Sequence, residues 1–240
     1  MGTRRTQQQA SSGDVSRVAW VTVQTRTGEQ HRYRDTSTGR YISARQVRAD
    51  IDRMVDAAGR GAARQMTTAL KDGRISLAEW QTGMARAVKN VNYAAVAAAS
   101  GGVQNMTAVE RGRAGAIIRE QYKHLRSFAK DIETGKQKLD GRAFRRADMY
   151  MDAARGSYHE QKRAAEAAAH AGQVVMIRSI RHPGDSCRQC IELHGKWFRM
   201  GDPEYVPVGR RLCRTSCRCS EETGVMDADG AVVGVGQDGY

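Results

Sequence analysis

Apolar positions along this chain fall into three regimes. From Ser43 to Gly172 they recur every three to four residues, the period of helices with one buried face. On either side the period shortens towards two, as strands require. Four helical stripes can be read. The first carries Val47, Ile51, Met54, Val55, Ala58 and Ala62, continues towards Leu70 and stops at Lys71-Asp72-Gly73. The second carries Leu77, Trp80, Met84, Val88, Val91 and Ala95 and ends at Ser100-Gly101-Gly102. The third carries Ala114, Ile118, Tyr122, Leu125, Ala129 and Ile132 and ends near Gly135. The fourth begins after Asp140, carries Phe144, Ala147, Met151, Ala154, Tyr158, Ala165 and Ala168, and ends at Ala171-Gly172.

The first three stripes open with the same device. Ser43 precedes Gln46, Ser76 precedes Glu79 and Thr107 precedes Glu110, each at the spacing of a capping box. Gly59, Gly61, Gly112, Gly115 and Gly156 interrupt the stripes. Each costs about 1 kcal/mol in a helix interior unless close packing compensates. The fourth stripe is heptad-like, suited to internal packing or to another subunit.

Before Ser43, Val18, Trp20, Val21 and Val23 predict a strand, with a turn at Gly28-Glu29 and a return through His31 to Arg34. After Gly172, Val174 to Ile177 with Ile180 predict another strand, and His182-Pro183-Gly184-Asp185 a turn. The expected organisation is a disordered segment 1–15, a β arm 16–43, a helical body 44–172, a β module 173–222 whose Cys-x-x-Cys pair and later cysteine cluster suit zinc, and a flexible acidic tail 223–240. Within that tail Ala231-Val232-Val233 is a strand candidate. The fold class is mainly α, with an N-terminal β-hairpin or arm, about four amphipathic helices and a small C-terminal zinc-stabilised β module.

The chemistry is concentrated in that module. All five cysteines lie there: Cys187, Cys190, Cys213, Cys217 and Cys219. A C-x-x-C pair followed by a second cluster is how a chain gathers thiolates around one tetrahedral zinc. We expect Cys187, Cys190, Cys217 and Cys219 as ligands, with Cys213 and His194 as alternates, in a closed structural site. Arg218, between two candidate ligands, is either a hydrogen-bond donor to a thiolate or a surface charge. No run approaches the ~18 apolar residues of a membrane span. The polar N-terminus leads us to expect synthesis in a cytoplasm, where thiols stay reduced. The net charge is +13, and the last twenty residues contribute −5, which leaves +18 for residues 1–220. Such a balance suits work near nucleic acid or an acidic protein surface.

The stretch from Asp185 to Cys219 resembles the C-terminal part of the phage Mu F-type head morphogenesis, or minor head (minor capsid), protein family. The matching residues are Cys187 and Cys190, then Leu193, Gly195, Lys196 and Phe198, then Pro207, then Cys217-Arg218-Cys219. Asp185 stands one residue closer to the first cysteine than in the family pattern. Cys213-Arg214-Thr215-Ser216 replaces the family's His-Pro before Cys-Arg-Cys, so Cys213 could stand in for the histidine. The resemblance implies a few-copy structural virion protein of the head, assembled in a bacterial host cytoplasm. Its implied partners are portal or capsid proteins, packaged DNA through non-specific basic contacts, and further copies of itself. A zinc-dependent nuclease or nucleic-acid-processing protein is the alternative, with Asp185, His182, Glu192 and His194 near the cysteines. No Walker loop, Gly-x-Ser-x-Gly or His-Glu-x-x-His motif occurs. The expectation is therefore not an enzyme.

Overall fold

The computed structural model describes residues 15–25, 28–184 and 186–234. The expected disorder of the N-terminal segment, apart from Val15, and the residue Asp185 lie outside the described residues. The architecture is mainly helical, with an N-terminal hairpin and a C-terminal sheet.

Strands β1 (Val18–Thr25) and β2 (Gly28–Asp35) pair antiparallel, from Val18 opposite Asp35 to Thr25 opposite Gly28. Gly28 and Glu29 are thus already in the return strand, not the turn that their composition suggests. The first helical stripe forms α1 (Ala44–Ala58) and α2 (Arg64–Lys71), joined by one wide π turn at Gly59–Ala63. The rod continues to Lys71 as its stripe predicts, but its period is reset where Gly59 and Gly61 weaken the ordinary ladder. Helices α3 (Leu77–Ala99), α4 (Ala108–Glu133) and α5 (Gly141–Ala169) follow.

The caps form as their chemistry dictates. Ser76 with Glu79 and Thr107 with Glu110 make reciprocal capping boxes. Ser43 accepts the Gln46 N–H, but the Gln46 side chain turns away to Asp50, so that box is only half made. Asp140 caps α5 by accepting the N–H groups of Arg142 and Ala143.

The main core lies between α1, α3, α4 and α5. Val47, Ile51 and Val55 of α1 meet Trp80, Met84, Val88 and Ala95 of α3 and Ala147, Met151, Ala154 and Tyr158 of α5. Trp80 sits edge-on to Phe128 of α4 at 5.1 Å and donates its indole N–H to Thr67. The fourth stripe thus packs internally from Ala147 to Tyr158, while Ala165 and Ala168 line an open cleft. The β arm is pinned to the end of α3. The Trp20 N–H donates to the Gly101 carbonyl at 2.8 Å, and Trp20 lies where a Cβ on Gly101 would stand. Gly101 also has φ +72°, so glycine is required there twice over.

Beyond α5 the chain forms β3 (Val175–Ile180), α6 (Arg188–Glu192), β4 (Trp197–Arg199), β5 (Ser220–Met226) and β6 (Val232–Gly234). The four strands form one antiparallel sheet in the order β4-β3-β5-β6. Residues 223–226 and 232–234, which composition places in the tail, are therefore part of the sheet.

Candidate metal centre

The sheet and its loops carry five thiols to one point. Cys187 stands at the N-cap position of α6 and Cys190 lies buried one turn on. Cys213 precedes a short 3-10 turn, Arg214–Ser216, and Cys217 follows it. Cys219 leads directly into β5. A hydrogen bond from the Leu212 N–H to the Gln189 side chain, 2.8 Å, ties the second loop to α6.

The sulfur separations are informative. Cys187 Sγ lies 3.4 Å from Cys190 Sγ and 3.5 Å from Cys213 Sγ. Cys190 Sγ lies 3.6 Å from Cys213 Sγ and 3.7 Å from Cys217 Sγ. A disulfide has an S–S distance of about 2.05 Å, so these are not disulfides, and all five cysteines are free thiols. Sulfurs each about 2.3 Å from a central ion in a tetrahedron stand about 3.8 Å apart. The cluster is within a few tenths of an ångström of that spacing and could hold a metal ion. It contains two groups, Cys187-Cys190-Cys213 and Cys190-Cys217-Cys219, with Cys190 in both.

His194 joins neither group. It is exposed and its Nδ1 accepts the Arg181 N–H at 3.3 Å. His182 contributes its backbone rather than its ring, with an N–H directed at Cys219, while its Nδ1 accepts from Gly184. Arg218 turns outward to Asp56 of α1 at 3.1 Å, which is the surface-charge alternative for that residue.

The cation beside the thiols is Arg211, which sequence reading passed over. Its side chain is fully buried. One Nη donates to Ser179 at 2.7 Å and to Cys190 Sγ at 3.7 Å, the other to the Tyr205 hydroxyl at 3.2 Å, and Nε to the Val206 carbonyl. The only sequence signal was an Arg-Arg pair two residues before a cysteine. A buried guanidinium offsets the excess negative charge of a multi-thiolate site.

The thiols divide in acidity because they share hydrogen bonds. Contact with Cys219, together with burial, pushes the Cys217 thiol up. Burial pushes Cys190 up to about 12, opposed by Arg211. The Cys217 hydrogen bond, against burial, and the His182 N–H hold Cys219 down to about 5.

Besides the Arg218–Asp56 pair, a buried carboxylate ties the module to the helical body. Glu221 of β5 is buried, and accepts from the Val208 N–H at 2.7 Å and the Tyr205 hydroxyl at 3.0 Å. Its other oxygen pairs with Arg163 of α5 and faces His159 Nδ1 at 3.8 Å. Burial holds His159 down to about 3, so this imidazole is neutral. Next to this pair, the Cα atoms of Gly156 and Gly209 approach closely. A Cβ on Gly209 would lie 3.1 Å from the Gly156 Cα. The contact restricts Gly209, which also has φ +91°, more than Gly156, where an added Cβ would lie at ordinary contact distance, 3.4 Å from the Gly209 Cα.

Among the described residues a cleft of about 610 Å³ opens between the β arm, the start of α4 and the end of α5, and no cysteine lines it. No helix of the described residues is long and apolar enough to cross a membrane. No protein-family model, curated protein or solved structure matches the chain.

Proposed function

We propose that the protein is a phage minor head protein whose C-terminal module is cross-linked by one structural zinc ion. The observation that carries the reading is the five-thiol cluster itself. Its sulfur spacing suits a tetrahedral thiolate site, and thiolate-rich tetrahedral sites favour zinc. The order Cys-x-x-Cys, Gly-Lys-x-Phe, Cys-Arg-Cys supports the family.

Four of the five sulfurs serve as ligands. Cys187, Cys190, Cys217 and Cys219 remain the set suggested by the sequence motif. The short distances from Cys213 to Cys187 and Cys190 support Cys213 as a ligand in place of one of the later pair. A closed sulfur shell leaves no position for a reacting water, so the ion is structural, which supports reading the protein as a structural component and not an enzyme. The sheet has few strands and a small apolar cluster around Ile177, Leu193 and Tyr205. A metal cross-link compensates for such a core. In this reading the helical body supplies the surface for the portal or inner capsid, and the protein resides in the virion head after assembly in the bacterial cytoplasm.

Elemental analysis of reduced wild type and Cys190→Ser tests the cross-link, since Cys190 belongs to both thiol groups. We expect one zinc per chain, lost in the variant; a metal-free wild type overturns it. Co-purification with co-expressed portal and capsid proteins tests the assignment. Failure to associate with any of them overturns the minor-head reading even if zinc is present.

A further inference from the structure

Between Ala108 and Arg146 the chain has eleven Lys and Arg against five Asp and Glu. Most of those acids are committed locally. Glu110 closes a capping box and accepts from Gln161, Asp140 caps α5, and Asp131 pairs with Arg146 and Lys136. The cations on the outer side of α4 are left in excess.

Arg119, Lys123, Arg126 and Lys130 are spaced four, three and four residues apart, so they form one stripe, and all four are exposed. Lys123 pairs with Glu120. Arg119, Arg126 and Lys130 make no ion pair among the described residues. Towards the helix start the same stripe passes over Gly115 and Gly112. Both are exposed, with open space where a Cβ would stand, and the exposed Arg111 flanks them. Like charges one turn apart destabilise a helix, and each interior glycine costs about 1 kcal/mol. Neither feature serves packing inside the chain.

We propose that this face of α4 binds duplex nucleic acid through its phosphates, without reading base sequence. A polyanion neutralises the stripe, and the bare backbone at Gly112 and Gly115 lets a phosphate chain come close. Arg119 to Lys130 spans about 17 Å of helix, the length of about five base pairs. Single strands are disfavoured because the stripe offers no aromatic ring on which bases could stack. A membrane surface is disfavoured because the apolar side of α4, with Leu125 and Phe128, is turned into the core. The inference deepens the minor-head reading, for which non-specific DNA contact is an implied partner, by assigning that contact to α4; it is argued from α4 alone.

The test is fluorescence anisotropy of a random-sequence DNA duplex with the full chain, over a range of salt. Wild type is compared with a variant carrying Arg119→Gln, Lys123→Gln, Arg126→Gln and Lys130→Gln. A control carries Arg45→Gln, Arg60→Gln, Arg181→Gln and Arg199→Gln, which remove equal charge from other exposed positions. Circular dichroism checks that each keeps its helix. If all four α4 cations contact phosphate, the slope of log K against log salt becomes shallower by about 3 to 4 in the α4 variant. Those four contacts account for about a 100-fold loss of wild-type affinity between 50 and 200 mM salt. The control should move the slope by less than about 1. Equal slopes for wild type and the α4 variant, no binding by wild type, or tighter binding of single strands would each overturn the proposal. So would concentration-dependent self-association through Gly112 and Gly115 in place of DNA binding. A null result leaves zinc content and portal association unaffected.

Discussion

Glu221→Ala should uncouple the cysteine module from the helical body. Its carboxylate is buried and faces five groups: the Val208 N–H, the Tyr205 hydroxyl, Arg163, His159 at 3.8 Å and Arg211 at 3.9 Å. Truncation leaves the Val208 N–H without a partner, which costs about 1–3 kcal/mol. It also removes the counter-charge of Arg163, which is mostly buried, and one of the negative groups near the buried Arg211. Removing one member of a buried ion pair costs about 3–5 kcal/mol. The two losses share the same atoms and do not add fully, so the expected destabilisation is about 4 kcal/mol. With an m-value of about 2.5 kcal/mol/M in urea, the midpoint falls by about 1.5 M. Glu221→Gln keeps an acceptor for Val208 and Tyr205 and should lose about half as much. The assay is urea unfolding followed separately by far-UV circular dichroism, which reports the helices, and by tryptophan fluorescence. The module's Trp197 lies under Arg178, with that guanidinium 4.7 Å from its ring. A shift below about 1 kcal/mol for Glu221→Ala would refute the view that this carboxylate joins the two parts.

Other consequences are equally direct. Gly101→Ala should destabilise by at least about 2 kcal/mol, through the left-handed φ and the clash with Trp20, and thermal unfolding would register it; a neutral result contradicts the pinned arm. His159 is held below its ordinary value, so its contribution to stability is fully present above about pH 6.5 and is lost as pH falls from there to about 3. His159→Gln should therefore show a flatter stability profile than wild type across that window. Gly209→Ala, with φ +91° and the Gly156 Cα 3.1 Å from the added methyl, should loosen the module against α5 and raise proteolysis of residues 173–222. Chelation under reducing conditions should expose the same region to protease while the helical signal of α1 to α5 changes little.

The helical body was largely legible because burial on one side of a helix imposes a local period. Val47, Ile51, Trp80, Met84, Leu125 and Met151 were readable from spacing alone and all are buried. The caps were legible for the same reason, since a hydroxyl and a carboxylate three residues apart interact within one turn. Ser43 shows the limit. Its Gln46 had a competing partner, Asp50, one turn further along. The break at Gly59–Ala63 was hidden because a π turn adds one residue without changing residue type. Phe128 escaped the stripe although it is fully buried, because α4 turns a face wider than the one chosen towards Trp80 and Tyr150.

The sequence by itself determined where the four long helical stripes start and stop, that a small β module follows them, and that all five cysteines lie in it. Those features depend on neighbours a few residues away, or on residue types with little alternative use. Only the tertiary structure decided that Cys213 joins the other four thiols, and that Arg211 rather than Arg218 faces them. It also decided that Glu221 binds the module to α5 and that Gly156 meets Gly209. Each of these depends on contacts between segments from about 20 to about 60 residues apart. The free energy of such contacts comes from burial and from pairing across the fold, which no local pattern of apolar and polar residues encodes.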